Sequence, residues 1–292
     1  MVIIHRSVRA QETGDRALVL LAMGIDHEIE HGLFGWRLGV PAHEETRARE
    51  QLHLWERENH RIGPLARHTP AQPGAVVAAF AWSAILMLSY TMQTRYVFGI
   101  DWVETGRTDV ALMVAGEWWR AATALMLHAD IGHVMVNIGF GAVFGGLLAR
   151  EIGGGLAGCM ILFGGIVGNL MNAAVQRASH TSIGASTAVF AALGSLSAWL
   201  WLGRRLDQTG WARRCAPLVG AIVLLAWLGT GTERTDIVAH LTGFIAGFVP
   251  GGIIGLKVRM IRTTVRREVA LGGMALCAIV AAWSLALAQT VK

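Results

Sequence analysis

The chain has 292 residues, 53% hydrophobic and 15% charged, with a mean hydropathy of +0.47, which excludes an ordinary soluble globule and points to a multi-spanning membrane protein. Net charge is +5 and the pI is about 9.7, yet the basic residues gather in short loops between apolar runs, so membrane topology accounts for them and a nucleic-acid partner is excluded. The three cysteines, Cys159, Cys215 and Cys277, lie in or beside apolar runs with no Cys-x-x-Cys spacing and no histidine at ligand distance, which excludes a disulfide framework and a zinc site.

Residues 1–62 are mixed and polar and read as a small soluble α/β domain on the cytoplasmic side. A helix is expected around 15–23, strand-like runs at 27–30 and 36–40, and a charged helix that Pro41 opens and that reaches about Asn59. No basic segment followed by a short apolar stretch and a small-residue cleavage site opens the chain, so no signal peptide is expected. Residues 63–74, with Pro64, Pro70 and Pro73, read as a linker.

From 75 to 292 the chain alternates between polar breaks and apolar runs of the roughly 20 residues that a helix needs to cross a bilayer. The runs lie near 75–93, 131–149, 155–173, 184–203, 216–232, 236–256 and 269–289. The fold class is therefore an all-α membrane protein of seven transmembrane helices behind a small α/β domain. The first break is long, and its amphipathic stretch 117–129 is expected to lie on or dip into the membrane interface. Small residues recur at helical spacing, as in Gly243-x-x-x-Gly247 and Gly141-x-x-x-Gly145, and let helix backbones approach closely in lipid.

Charge sets the orientation. The break 203–215 carries Arg204, Arg205, Arg213 and Arg214, and 257–268 carries Lys257, Arg259, Arg262, Arg266 and Arg267. The alternate breaks hold Arg177 in one case and the near-neutral set Glu233, Arg234 and Asp236 in another. By the positive-inside rule the N-terminus is cytoplasmic and the C-terminus exterior.

Polar groups inside spans are costly and usually functional, and three places carry them: His133 with Asn137, Ser186, and His240. Taken singly, a serine in a span usually bonds a carbonyl one turn back, and a histidine often only bridges helices. Depth changes the balance. The second, fourth and sixth runs all enter from the outer side, and at 1.5 Å per residue Ser186, His240 and Asn137 fall within roughly 3–9 Å of the outer boundary. A serine beside a neutral histidine base is suited to acyl transfer. His133 and Asn137, spaced i, i+4 on one face, can stabilise the oxyanion together with the backbone N–H of Ser186. Asp236, at the outer lip of the sixth run, reads as solvated rather than as the orienter of His240, which leaves a Ser–His dyad. The chemistry needs no metal and no organic cofactor. Intramembrane histidines also serve proton relays and haem ligation, so a transporter or haem protein stays open; a zinc protease is set aside for want of His-Glu-x-x-His.

The same residues resemble the rhomboid family of intramembrane serine proteases. Glu117-Trp118-Trp119-Arg120 is similar to the family's loop-one Trp-Arg signature, and His128-x4-His133-x3-Asn137 to its His-x4-His-x3-Asn element. Gly184-Ala-Ser186-Thr187 is similar to the Gly-x-Ser-Gly nucleophile motif, and Ala239-His240-x-x-Gly243 with Gly247 to the Ala-His-x-x-Gly base motif. The resemblance implies a six-helix core plus one C-terminal helix. It also implies Ser186 as nucleophile, His240 as base, His133 and Asn137 at the oxyanion, and supporting roles for His128, Trp119, Arg120, Gly184, Gly243 and Gly247. Thr187 stands where the motif usually has glycine, and Phe190 where the family often has a tyrosine stacked on the base. The implied partners are transmembrane protein substrates and membrane lipid, cut near the exterior face of a bacterial inner membrane. The alternative is a catalytically impaired relative that binds client helices. Residues 1–62 resemble a small regulatory or sensing domain ahead of some bacterial rhomboid-like proteins, with no ligand named.

Overall fold

A computed structural model describes residues 1–8, 10–32, 35–59, 72, 74–203, 211–229, 236–257 and 263–290, and the chain divides into two compact units, Met1–His68 and Thr69–Lys292. In the first, β1 (Val2–Ser7) is followed by α1 (Ala10–Ala22), β2 (Glu28–Gly32), β3 (Gly35–Val40) and α2 (Glu45–Asn59). The strands form an antiparallel sheet in the order β1-β3-β2. Thr13, Ala17 and Leu20 recur at helical spacing and turn one face of α1 inward; Ala17 and Leu20 pack with Leu38 and Val40 of β3 and Ala48 and Leu52 of α2. β1 is an addition to the expected elements, because its side chains alternate poorly between polar and apolar and only pairing with β3 makes it a strand. The expected linker, 63–74, lies outside the described residues apart from Gln72 and Gly74.

The second unit runs through α3 (Ala75–Thr94), α4 (Trp102–Gly106), β4 (Thr108–Asp109), α5 (Val110–Val114), α6 (Arg120–Thr123), α7 (Ile131–Ile152), α8 (Gly154–Val175), β5 (Thr181–Ser182), α9 (Ser186–Ala198), α10 (Trp211–Gly229), α11 (Ile237–Lys257) and α12 (Val265–Thr290). Among the described residues six helices are long and apolar enough to cross a membrane: α3, α7, α8, α9 with its continuation to Gly203, α11 and α12. The run expected at 216–232 corresponds to α10, whose apolar stretch Cys215–Trp227 is shorter than the other six.

α9 is the centre of this unit. Every residue of it after Ser186 is buried, and α7, α8, α10 and α11 all pack on it. The tightest seam is with α11. A Cβ on Gly243, Gly247 or Gly251 would overlap the carbonyl oxygens of Thr187, Ala191 and Ser195 respectively. Gly168 of α8 meets the backbone of Gly243 at the same level. Lipid tails are as apolar as the helices, so burial of leucine gives little drive to associate, and close backbone packing supplies the attraction instead. Ser195 Oγ donates to the Gly247 carbonyl at 2.9 Å and adds a polar tie across the seam.

In the first connection residues 119–128 are all buried by the protein, whereas Trp118 beside them is exposed. The reason is Arg120, which a lipid-facing segment could not satisfy. Its Nε donates to Glu117 at 2.7 Å and its Nη1 to the carbonyls of Glu104 and Arg107 at 3.1 and 3.0 Å. α12 supports the same region: Trp283 packs edge-on against Trp102 at 5.1 Å, and Ala282 and Ala286 pack on Trp119. Near the other end of α12, a Glu268 carboxylate oxygen accepts the Gly155 N–H in the first turn of α8, whose N-cap, Gly153, has no side chain to do so.

The seam predicts a graded response. Gly247→Val should destabilise the purified protein by about 1–3 kcal/mol or more, as overpacking does, read as a lowered thermal midpoint in detergent. Gly139→Ala, where an added Cβ meets nothing within 4 Å, should leave the midpoint unchanged or raise it. Equal midpoints for the two variants would show that the seam tolerates side chains.

Candidate active site

The turn before α9 is held from three sides. Thr108 and Ser182 pair across the two-stranded β4–β5 sheet, and Thr108 Oγ1 both donates to the Ser182 carbonyl at 2.9 Å and accepts the Ser182 N–H at 2.8 Å. The Gly184 N–H donates to the Ala124 carbonyl at 3.0 Å. The Ala185 N–H donates to His128 Nε2 at 3.4 Å. Gly184 has φ of 136°, and a Cβ there would come within 2.8–2.9 Å of the His133 ring, so this position needs glycine for conformation and for space. Ser186 is the first residue of α9, and no side chain caps that helix, which leaves the backbone donors of its first turn available to a ligand.

His128 lies fully buried in the first connection. Its backbone is gripped by Gln93 at the end of α3, whose Nε2 donates to the His128 carbonyl at 2.6 Å and whose Oε1 accepts the His128 N–H at 3.0 Å. Its ring meets His133 edge-on at 5.1 Å. Burial first, and the neighbouring His133 ring second, lower its pKa from 6.5 to about 4, so the ring stays neutral and accepts from Ala185. Gln93 carried no signal in the sequence, since an amide at a helix end is ordinary until its partner is known.

α7 begins at Asp130, whose side chain caps the helix by accepting the His133 N–H at 2.8 Å. One turn on, Asn137 is buried, and its Nδ2 has no hydrogen-bond partner among the described residues. Its carbonyl accepts from Trp82 Nε1 of α3 at 3.1 Å, which secures α7 at that level. An unmatched buried donor in a native fold calls for a ligand or a function.

His240 is the fourth residue of α11, buried, with its ring 4.4 Å from Phe190 and tilted by 36°. Asp236, expected to be solvated, is instead largely enclosed, with 14% of its side chain exposed. It caps α11 by accepting the Ala239 N–H on Oδ1 at 3.0 Å, while Oδ2 accepts from Asn172 Nδ2 at 2.7 Å and lies 2.8 Å from His180 Nε2. The correction is physical: an ionised carboxylate at a helix start is worth more matched to donors from two further elements than hydrated at the lip.

Ser186, His240, His133 and Asn137 line one cavity of about 990 Å³, together with Asp236 and His180. Trp119, Arg120 and His128 do not line it; Trp119 and Arg120 brace the first connection, while His128 holds the turn that precedes Ser186. Gly243 and Gly247 stand in the seam, as described. Asn172 and His180 escaped the sequence reading because neither lies in a recognisable motif.

A rhomboid-domain family model matches residues 115–257. The chain belongs to the rhomboid family. It is 34% identical over 156 residues to RHOMBOID-like protein 1 of Arabidopsis thaliana, covering 52% of this chain and 39% of that protein. It is 27% identical over 175 residues to the putative rhomboid protease YdcA of Bacillus subtilis (strain 168), covering 60% of this chain and 85% of that one. With the rhomboid protease GluP of the same bacterium it shares 28% identity over 154 residues, 53% of this chain and 29% of GluP. The match thus spans about two-fifths of the Arabidopsis relative's length. The rhomboid match runs from the first connection to the last residue of α11, and so leaves out α3, α12 and the whole N-terminal unit of this rhomboid.

The neutral His128 carries a pH consequence. The unfolded ring protonates near 6.5 and the folded one near 4, so between these values the unfolded state binds the extra proton and stability falls as pH is lowered. Thermal midpoints measured from pH 7 to pH 4 should show this loss in the wild type and a smaller one in His128→Gln, which still offers Ala185 an acceptor but does not titrate. Identical slopes in the two proteins would remove His128 as the cause.

Proposed function

We propose that this rhomboid is an intramembrane serine endopeptidase that cuts transmembrane segments of other membrane proteins near the exterior face. The observation that carries the proposal is the shared cavity: a hydroxyl from the start of α9 and an imidazole from the first turn of α11 line one space. In the proposed reaction Ser186 Oγ attacks the scissile carbonyl while His240 takes its proton. His133, Asn137 and the Ser186 N–H hold the developing oxyanion, and the unmatched Asn137 Nδ2 is the donor this needs. The tetrahedral intermediate collapses as His240 returns the proton to the leaving amine. Water then enters the cavity and attacks the acyl carbonyl as His240 takes its proton, and the carboxylic acid product leaves as His240 returns that proton to Ser186 Oγ. A substrate helix must unwind locally to present its carbonyl, since an intact helix keeps every carbonyl bonded internally.

Several finer features belong to the same proposal. α10 completes a set of seven spans, the N-terminus lies in the cytoplasm and the C-terminus outside, and the membrane is the bacterial inner membrane. The departures from the family motifs are compatible with activity. The Thr187 Cγ2 packs toward Gly168 and Gly243 in the α8–α9–α11 seam, so its branched carbon occupies a space between helices. Phe190 retains the stacking face on His240. Both points weigh against the alternative of a client-binding relative without activity.

A serine-directed fluorophosphonate tests the assignment. Wild type should label, Ser186→Ala should not, and His240→Ala should label poorly; undiminished labelling of Ser186→Ala would eliminate the nucleophile. Asn137→Ala should slow turnover of a transmembrane substrate by about 10²–10³-fold, the usual effect of one oxyanion donor, and an unchanged rate would strip it of that role.

A further inference from the structure

Asp236 has more partners than a helix cap requires. An ionised carboxylate only accepts hydrogen bonds, and this one receives donors from three parts of the chain: the Ala239 N–H of α11, Asn172 Nδ2 of α8, and His180 of the segment between α8 and β5. Asn172 is itself oriented, because its Oδ1 accepts from Gln176 Nε2 at 3.4 Å. His180 is tied through its backbone, its carbonyl accepting from the Val110 N–H at 3.2 Å and its N–H donating to the Arg177 carbonyl at 2.9 Å. The His240 N–H in turn donates to the Asp236 carbonyl at 3.2 Å. Cap and base thus belong to one turn of helix.

The seam explains why such a tie is needed. Glycine faces bring α9 and α11 together closely, but apart from the Thr187 methyl a smooth backbone surface offers few side-chain knobs to resist sliding or rotation. The polar tie from Ser195 to Gly247 sits two turns inward of His240. At the outer end, where the imidazole stands, the matched carboxylate is what sets height and rotation, and an uncapped first turn would fray at the residue that carries the base.

We propose that Asp236 is a positioning residue for the His240 base: its carboxylate, held by Asn172 and His180, fixes where α11 begins and so how His240 stands toward Ser186. The assignment rests on the Ser186–His240 reading above. It differs from an orienting triad acid, since the carboxylate acts on the helix start through the Ala239 N–H and not on the imidazole.

The test is the saturation kinetics of fluorophosphonate labelling, with the full chain in proteoliposomes, so that no natural substrate is required. Asp236→Ala should lower the maximal labelling rate by about 10²-fold, the cost of an ångström-scale misplacement, with little change in the probe concentration at half-saturation. Asn172→Ala and His180→Ala should each slow labelling less, and neither should slow it further in the Asp236→Ala background. His180→Gln, which keeps a side-chain N–H, should recover most of the rate. Wild-type labelling in Asp236→Ala beside a silent Ser186→Ala would overturn the positioning role and leave the dyad intact; labelling in Ser186→Ala would bring down the dyad itself. If Asp236→Ala does not fold, the Asn172→Ala and His180→Ala variants decide: wild-type rates in both would overturn the proposal.

Discussion

Backbone-to-backbone contact between α9 and α11 is the constraint on which the rest of the spanning unit depends. Gly243, Gly247 and Gly251 leave the carbonyls of Thr187, Ala191 and Ser195 as the opposing surface, and no other residue type permits that approach. In water such a seam would be held largely by the exclusion of apolar side chains. In lipid the attraction comes from dispersion across closely packed surfaces, which makes small residues rather than large ones the adhesive. α8 joins through Gly168 at the level of Gly243, so three helices share a narrow axis that opens into the cavity at its Ser186 and His240 end.

That axis delivers Ser186 and His240 to the same place, but it does not by itself orient them. Orientation comes from polar side chains outside the seam, each solving a hydrogen-bonding problem that burial creates. Gln93 and His128 organise the turn that leads to Ser186. Asp130 begins α7, and Asp236 begins α11. The two helix caps lie at the cavity, so the carboxylates that start these helices also line the site that the helices build. The buried guanidinium of Arg120 plays the corresponding part for the first connection, where it turns an irregular segment into a satisfied one.

The division between what could be read in advance and what could not follows these two kinds of interaction. Ser186, His240, His133 and Asn137 were legible because a polar group in a long apolar run is conspicuous, and counting residues from each span's start measures depth. Gly243 and Gly247 were legible because their spacing matches a helical turn. Asp236 was misjudged: its neighbours in sequence are polar and suggest solvent, whereas its neighbours in space are Asn172 and His180, separated from it by 64 and 56 residues. The amphipathic 117–129 stretch shows that one face seeks an apolar environment without saying whether lipid or protein provides it, and the structure shows protein around 119–128.

From the sequence alone come the membrane class, six of the spans with their approximate ends, the rhomboid motifs, and the expectation that Ser186, His240 and Asn137 share one level. These follow from local quantities: hydropathy summed along a helix and rise per residue. Only the tertiary structure decided that β1 is a strand, that residues 119–128 are enclosed by protein, that Asp236 is partnered, and that α12 reaches the first connection through Trp283. Each of those is a pairing between distant segments, and pairing energies depend on which surfaces meet, a property no single stretch of chain contains.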